Sequence, residues 1–142
     1  MAGETNEVEV GEEGRSPADN RDTILIAEDD EGLRSVLADV LRGLGYRVLE
    51  ARDGEHAVEI AKTHRGDLDL LIADLVMPRL SGYEAADGVR QLHPRTAVLF
   101  ISGYVDEQSL AWKEPSPSML FLPKPFTISE LEEAVVSLIR RA

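Results

Sequence analysis

A chain of 142 residues, 43% hydrophobic and 30% charged, is sized and composed for one compact globular domain and is too short for two of ordinary size. It has no cysteine, which excludes disulfides, thiolate chemistry and cysteine-held metals, and no apolar run approaches the roughly 18 residues that cross a bilayer, so the reading is a soluble, cytoplasmic protein with no membrane partner. The net charge of −12 divides into −5 over residues 1–22 and −7 over residues 23–142, and both parts repel phosphate backbones, which argues against nucleic-acid binding.

Residues 1–22 read as a disordered acidic tail. After Met1 their sizeable apolar side chains are Val8 and Val10, too little to offset the entropy of ordering. The domain is expected over 23–142. It begins with Thr23-Ile24-Leu25-Ile26-Ala27, a continuous apolar run suited to a strand covered on both faces. The acidic turn Glu28-Asp29-Asp30-Glu31 leads into a helix whose stripe is Leu33, Val36, Leu37, Val40, Leu41 and Leu44, closed by Gly43 and Gly45. Tyr46 to Ala51 is the second strand, and Asp53 caps a helix carrying Ala57, Ile60 and Ala61. Leu68 to Ala73 is a third, buried strand ending at Asp74. Ser81 caps a helix with Ala85, Val89 and Leu92 that stops before Pro94. Thr96 to Ile101 is the fourth strand, followed by Ser102-Gly103. Asp106 to Lys113 suits only a short helix, because Pro115 and Pro117 forbid a longer one. Met119 to Leu122 is the last strand. After Lys124-Pro125-Phe126, Thr127 or Ser129 caps a final helix with Leu131, Ala134, Val135, Leu138 and Ile139.

Strands alternating with helices of this length imply right-handed crossovers and a parallel sheet covered on both faces. The expected fold is therefore α/β: a doubly wound five-stranded parallel sheet in the order 2-1-3-4-5, a flavodoxin-like (βα)5 arrangement. In such a sheet, ligands sit outside the carboxyl ends of the strands. There the conspicuous polar residues gather: Glu28, Asp29 and Asp30 after strand one, Asp74 after strand three, Ser102 after strand four, and Lys124 just past strand five. Taken singly, each has an ordinary explanation as a helix cap or turn residue. Taken together at one switch point, the carboxylates would repel one another unless a cation compensates, and hard oxygen donors with room for water favour Mg²⁺.

Four segments then resemble the response-regulator receiver family: Ile-Leu-Ile-Ala-Glu-Asp-Asp at 24–30, Asp-Leu-Val-Met-Pro-Arg-Leu-Ser-Gly at 74–82, Ile-Ser-Gly at 101–103 and Pro-Lys-Pro-Phe at 123–126. Their order and spacing cover nearly the whole ordered chain, from about Thr23 to Arg141. The resemblance implies a chemotaxis-regulator-like phosphoacceptor domain of two-component (His-Asp) signalling, a switch and not a turnover enzyme. It assigns Asp74 as the phosphorylated aspartate. Glu28 and Asp29, with the Val76 backbone carbonyl and Asp74, become the Mg²⁺ site. Lys124 and Ser102 become the partners of the phosphoryl oxygens, and Phe121 the aromatic that changes rotamer with Ser102. Asp30 falls where the family varies. The implied donor is a phosphohistidine on a sensor histidine kinase or histidine phosphotransfer protein. His56, His64 and His93 read as surface residues, so no internal donor is implied. The downstream partner is unspecified. The segments 99–104 and 121–126 look more like receivers attached to hybrid sensor kinases than like transcription-factor receivers. The short helix interrupted by Pro115 and Pro117 departs from the usual output face.

Three other readings compete. An Mg²⁺-dependent aspartyl-phosphate phosphatase would place a second acid two residues after the nucleophile, where Val76 stands, and would need a cap. A flavodoxin-like cofactor binder would need a phosphate loop where this chain is acidic. A phosphorylation-independent interaction module would not need the full set of reactive residues that is present.

Overall fold

The structure, a computed structural model, describes residues 22–103 and 118–141. The elements are β1 (Thr23–Ala27), α1 (Glu31–Gly43), β2 (Arg47–Ala51), α2 (Gly54–Thr63), β3 (Leu70–Asp74), α3 (Gly82–Leu92), β4 (Ala97–Ser102), β5 (Met119–Pro123) and α4 (Ile128–Arg141). All strand pairs are parallel, in the order β2-β1-β3-β4-β5, which is the expected 2-1-3-4-5 arrangement. The short helix expected at 106–113, its proline interruption and most of the acidic tail lie outside the described residues. Among the described residues, no helix is long and apolar enough to cross a membrane.

The burial of each strand follows from its place. β1, β3 and β4 are buried at every position, while the edge strands β2 and β5 are only partly covered. Successive side chains point to opposite faces. Ile24, Ile26, Ile72, Leu99 and Ile101 pack with Leu37, Leu41, Leu131, Val135 and Leu138 on the α1/α4 face. Leu25, Ala27, Leu71, Ala73 and Phe100 pack with Ala57, Ala61, Ala85 and Val89 on the α2/α3 face.

The helix starts are fixed by side chains. Asp30 Oδ1 accepts from Leu33 N at 3.1 Å, Asp53 Oδ1 from His56 N at 2.8 Å, and Ser81 forms a reciprocal capping box with Glu84. Of the two candidates for the last helix, Thr127 caps: its Oγ1 accepts from Glu130 N at 3.0 Å, and Glu130 Oε1 accepts from Thr127 N at 2.8 Å. Each such cap contributes about 1 kcal/mol. Two details differ from expectation. Val36 is 55% exposed on the solvent side of the buried Leu37, whereas Ala38, about 100° around α1 on its other side, is buried. The histidines are half-buried, and His93 Nε2 lies 2.9 Å from the Ala61 carbonyl, joining the end of α3 to α2.

One glycine decides how closely α3 approaches the end of β3. A Cβ on Gly82 would meet the Asp74 carbonyl oxygen at 2.5 Å and Leu75 Cα at 2.9 Å, and Gly82 N already donates to Leu75 O at 3.0 Å. Gly82→Ala is therefore expected to destabilise the fold by about 1–3 kcal/mol, seen as a lower urea midpoint with an unchanged slope. An unchanged midpoint would refute this close approach.

Candidate functional site

The carboxyl ends of β1, β3 and β4 and the turn after β5 meet at one corner of the sheet. Glu28 follows β1 directly and is 1% exposed. Its N–H donates to Ala51 O at 3.1 Å, and its carbonyl accepts from Arg34 Nη1 at 2.8 Å. Its Oε2 accepts from Asp30 N at 3.0 Å, so the residue that caps α1 also holds the Glu28 carboxylate. Asp29, between them, is exposed. Asp74 closes β3, buried, with Oδ1 accepting from Val76 N at 3.0 Å.

Lys124 joins these groups. Its Nζ lies 2.9 Å from Asp74 Oδ2 and 3.4 Å from Glu28 Oε1. Its backbone N–H donates to Ser102 O at 2.8 Å, tying the turn after β5 to the end of β4. Ser102 itself is buried. Phe121 lies on the α2/α3 side of the sheet, half-buried. Its ring is stacked on Phe100 with centroids 5.2 Å apart, and Tyr83 stands edge-on to it at 6.4 Å. The Val76 side chain points into solvent, 70% exposed.

The arrangement carries a surplus of negative charge. Glu28, Asp29 and Asp74 each offer a carboxylate oxygen, and these atoms lie within 4.8 Å of one another. The pKa of Glu28 is pushed from 4.5 up to about 7, first by burial and then by the charge of Asp74; the Asp30 N–H and Lys124 only partly oppose this. Burial draws the pKa of Lys124 down, but its hydrogen bond to Asp74 and the charges of Glu28 and Asp74 outweigh burial and leave it raised. One ammonium does not balance three carboxylates, and a divalent cation with hard oxygen ligands fits what remains.

The structure thus brings together Glu28, Asp29, Asp74 and Lys124, sets Ser102 at the adjoining strand end, and leaves Phe121 on the opposite side of that strand edge from α4. Sequence reasoning missed the supporting contacts. Asp30 was legible as a cap but not as the donor to Glu28. Arg34, six residues along the chain, carried no signal.

Comparison with known proteins agrees with this geometry. Residues 24–136 match the family described as response regulator receiver domain. The chain is 33% identical over 120 residues to the sensor kinase CckA of Brucella abortus, covering 84% of this chain but 13% of that protein. The crystal structure of a receiver domain from the hybrid histidine kinase CckA is 42% identical, with a TM-score of 0.68 and coverage of 82% and 98% of the two chains. The response regulator TrrA of Thermotoga maritima, solved in complex with Mg²⁺-BeF, is 28% identical, with a TM-score of 0.68 and the same coverages. The chain therefore spans a small fraction of the sensor kinase it resembles.

Because folding raises the Glu28 pKa, the folded state holds this proton more tightly than the unfolded state does. The resulting stability is complete below pH 4.5 and is lost as pH rises through about 7. A shift of this size corresponds to about 3 kcal/mol. In metal-free protein, Glu28→Gln should therefore gain stability relative to wild type between pH 5 and pH 8 by up to about 3 kcal/mol, measured by urea unfolding. A difference between the two proteins that does not change with pH would contradict the raised pKa.

Proposed function

The chain belongs to the response regulator receiver family, and from that premise we propose that it is a phosphoacceptor in two-component signalling, with Asp74 taking the phosphoryl group from a phosphohistidine. The observation that carries the reading is the buried Asp74 carboxylate, held by Lys124 at 2.9 Å beside Glu28 and Asp29. Phosphoryl transfer asks for positioning and charge neutralisation more than for covalent assistance. An Asp74 oxygen attacks phosphorus in line. The new O–P bond forms as the N–P bond of the phosphohistidine breaks, and the imidazole leaves with the electron pair and takes up a proton. Lys124, already shared between Asp74 and Glu28, pairs with the charge that arrives.

Glu28, Asp29, Asp74 and the Val76 backbone carbonyl would hold Mg²⁺, which when bound neutralises phosphoryl oxygens. The fit is supported by the hard donor set and by the uncompensated charge that raises the Glu28 pKa. Ser102 donates a hydrogen bond to the phosphoryl group. Such a charge-assisted bond contributes about 1.5–3 kcal/mol, enough to move a poised two-state equilibrium roughly tenfold to a hundredfold. Phe121 then changes rotamer, giving up its stack on Phe100. Relatives that are sensor kinases support a sensor histidine kinase or a histidine phosphotransfer protein as the donor. The solvent-facing Val76, two residues after Asp74, supports a signalling module over an aspartyl phosphatase, which would want an acid there.

Intact mass measured after incubation with acetyl phosphate tests the proposal. A gain of one phosphoryl group that needs both Mg²⁺ and Asp74, and is absent in Asp74→Asn, is expected. No gain would favour a phosphorylation-independent interaction module, and a gain that survives Asp74→Asn would mean that another residue is the acceptor.

A further inference from the structure

We propose that Arg79 is a positioning residue for the cation site: its ion pair with Asp53 latches the β3–α3 loop, and with it Val76, to the start of α2. The inference rests on the metal-binding reading above. Arg79 has φ 70°, in the left-handed region, and is the centre of a three-residue turn closed by Leu80 N donating to Pro78 O at 2.8 Å. Turns of this hand are rare and strained, and glycine or asparagine fills such positions at less cost. The backbone therefore gives no reason for arginine here. The reason lies in what the side chain reaches.

Arg79 Nη1 lies 3.2 Å from Asp53 Oδ2 and 3.6 Å from Glu55 Oε1. Asp53 is only 7% exposed, and its two oxygens are divided: Oδ1 caps α2 through His56 N, while Oδ2 receives Arg79. A second contact joins the same two elements. A Cβ on Gly54, the first residue of α2, would meet Leu80 Cβ at 2.9 Å and Leu80 O at 3.1 Å, so the helix is seated directly on the residue after Arg79. The ends of the loop are tied elsewhere: Leu75 N donates to Ile101 O at 2.9 Å, Val76 N to Asp74 Oδ1 at 3.0 Å, and Gly82 N to Leu75 O at 3.0 Å. Arg79 and Leu80 hold its middle. The turn and its ion pair fix the middle of the loop that begins with Val76. On this proposal their loss lets the Val76 carbonyl drift and weakens cation binding, on the order of the tenfold seen when contacts that orient metal ligands are removed.

The opposing possibility is that an arginine 62% exposed makes an ion pair of no consequence. Mg²⁺ titration of the full chain by calorimetry, with urea unfolding alongside, separates the two. Arg79→Ala and Asp53→Asn, the latter keeping the helix cap, should each bind Mg²⁺ about tenfold more weakly. The double variant should be no weaker than either single one, and Arg79→Lys should recover part of the affinity. Arg79→Gly, which adopts φ 70° without strain, should lose affinity as the alanine does even if the alanine folds poorly. Altered unfolding with unchanged Mg²⁺ affinity would overturn the latch. A wild type that fails to bind Mg²⁺ would overturn the cation site itself, and the latch with it.

Discussion

One ammonium group serves two buried carboxylates, and the rest of the site is arranged around that imbalance. Lys124 reaches Asp74 and Glu28 from the turn after β5, while Asp29 stands at the solvent rim. Burying carboxylates without full compensation is costly, and the cost appears as the raised pKa of Glu28. Such a site favours whatever brings positive charge, and under the proposed function a phosphoryl group on Asp74 would add to the negative charge that Lys124 must offset. The same imbalance that raises the Glu28 pKa leaves a place for a cation at this corner.

The central strands of the sheet fix the place of that corner. β1, β3 and β4 are central strands buried on both faces, so their carboxyl ends cannot shift without disturbing the core. Contacts specific to the corner add to this. Gly82 lets α3 press against the carbonyl of Asp74, Arg34 holds the Glu28 carbonyl, and Asp30 joins the start of α1 to the Glu28 carboxylate. The Lys124 amide is bonded to Ser102, so the residue that neutralises charge and the residue proposed to sense the phosphoryl group share one hydrogen bond.

Much of this was legible in the sequence for physical reasons. Continuous apolar runs such as Ile24 to Ala27 announce central parallel strands. Asp53, Ser81 and Thr127 announce helix starts through local hydrogen bonding, although only the reciprocal bonds with Glu130 distinguish Thr127 from Ser129. Asp74, Glu28, Asp29 and Lys124 stood out because their places at strand ends follow from the topology. Long-range contacts of long side chains were not legible. Arg79 to Asp53 spans 26 residues and depends on a backbone φ that arginine rarely adopts. Val36 was misplaced because a stripe drawn by spacing alone does not say where its edge meets solvent. The stack of Phe121 on Phe100 depends on β4–β5 register, which pairs these two residues directly.

A crystal structure with Mg²⁺ and beryllofluoride, a mimic of the phosphoryl group, tests most directly whether this charge cluster is a phosphoacceptor site. The beryllium should be bonded to an Asp74 carboxylate oxygen, with Lys124 Nζ and Ser102 Oγ both at hydrogen-bond distance from fluorine and Mg²⁺ held by Glu28, Asp29 and Asp74. Beryllofluoride bound away from Asp74, or bound there with Lys124 still paired to Glu28 and Ser102 turned away, would contradict it.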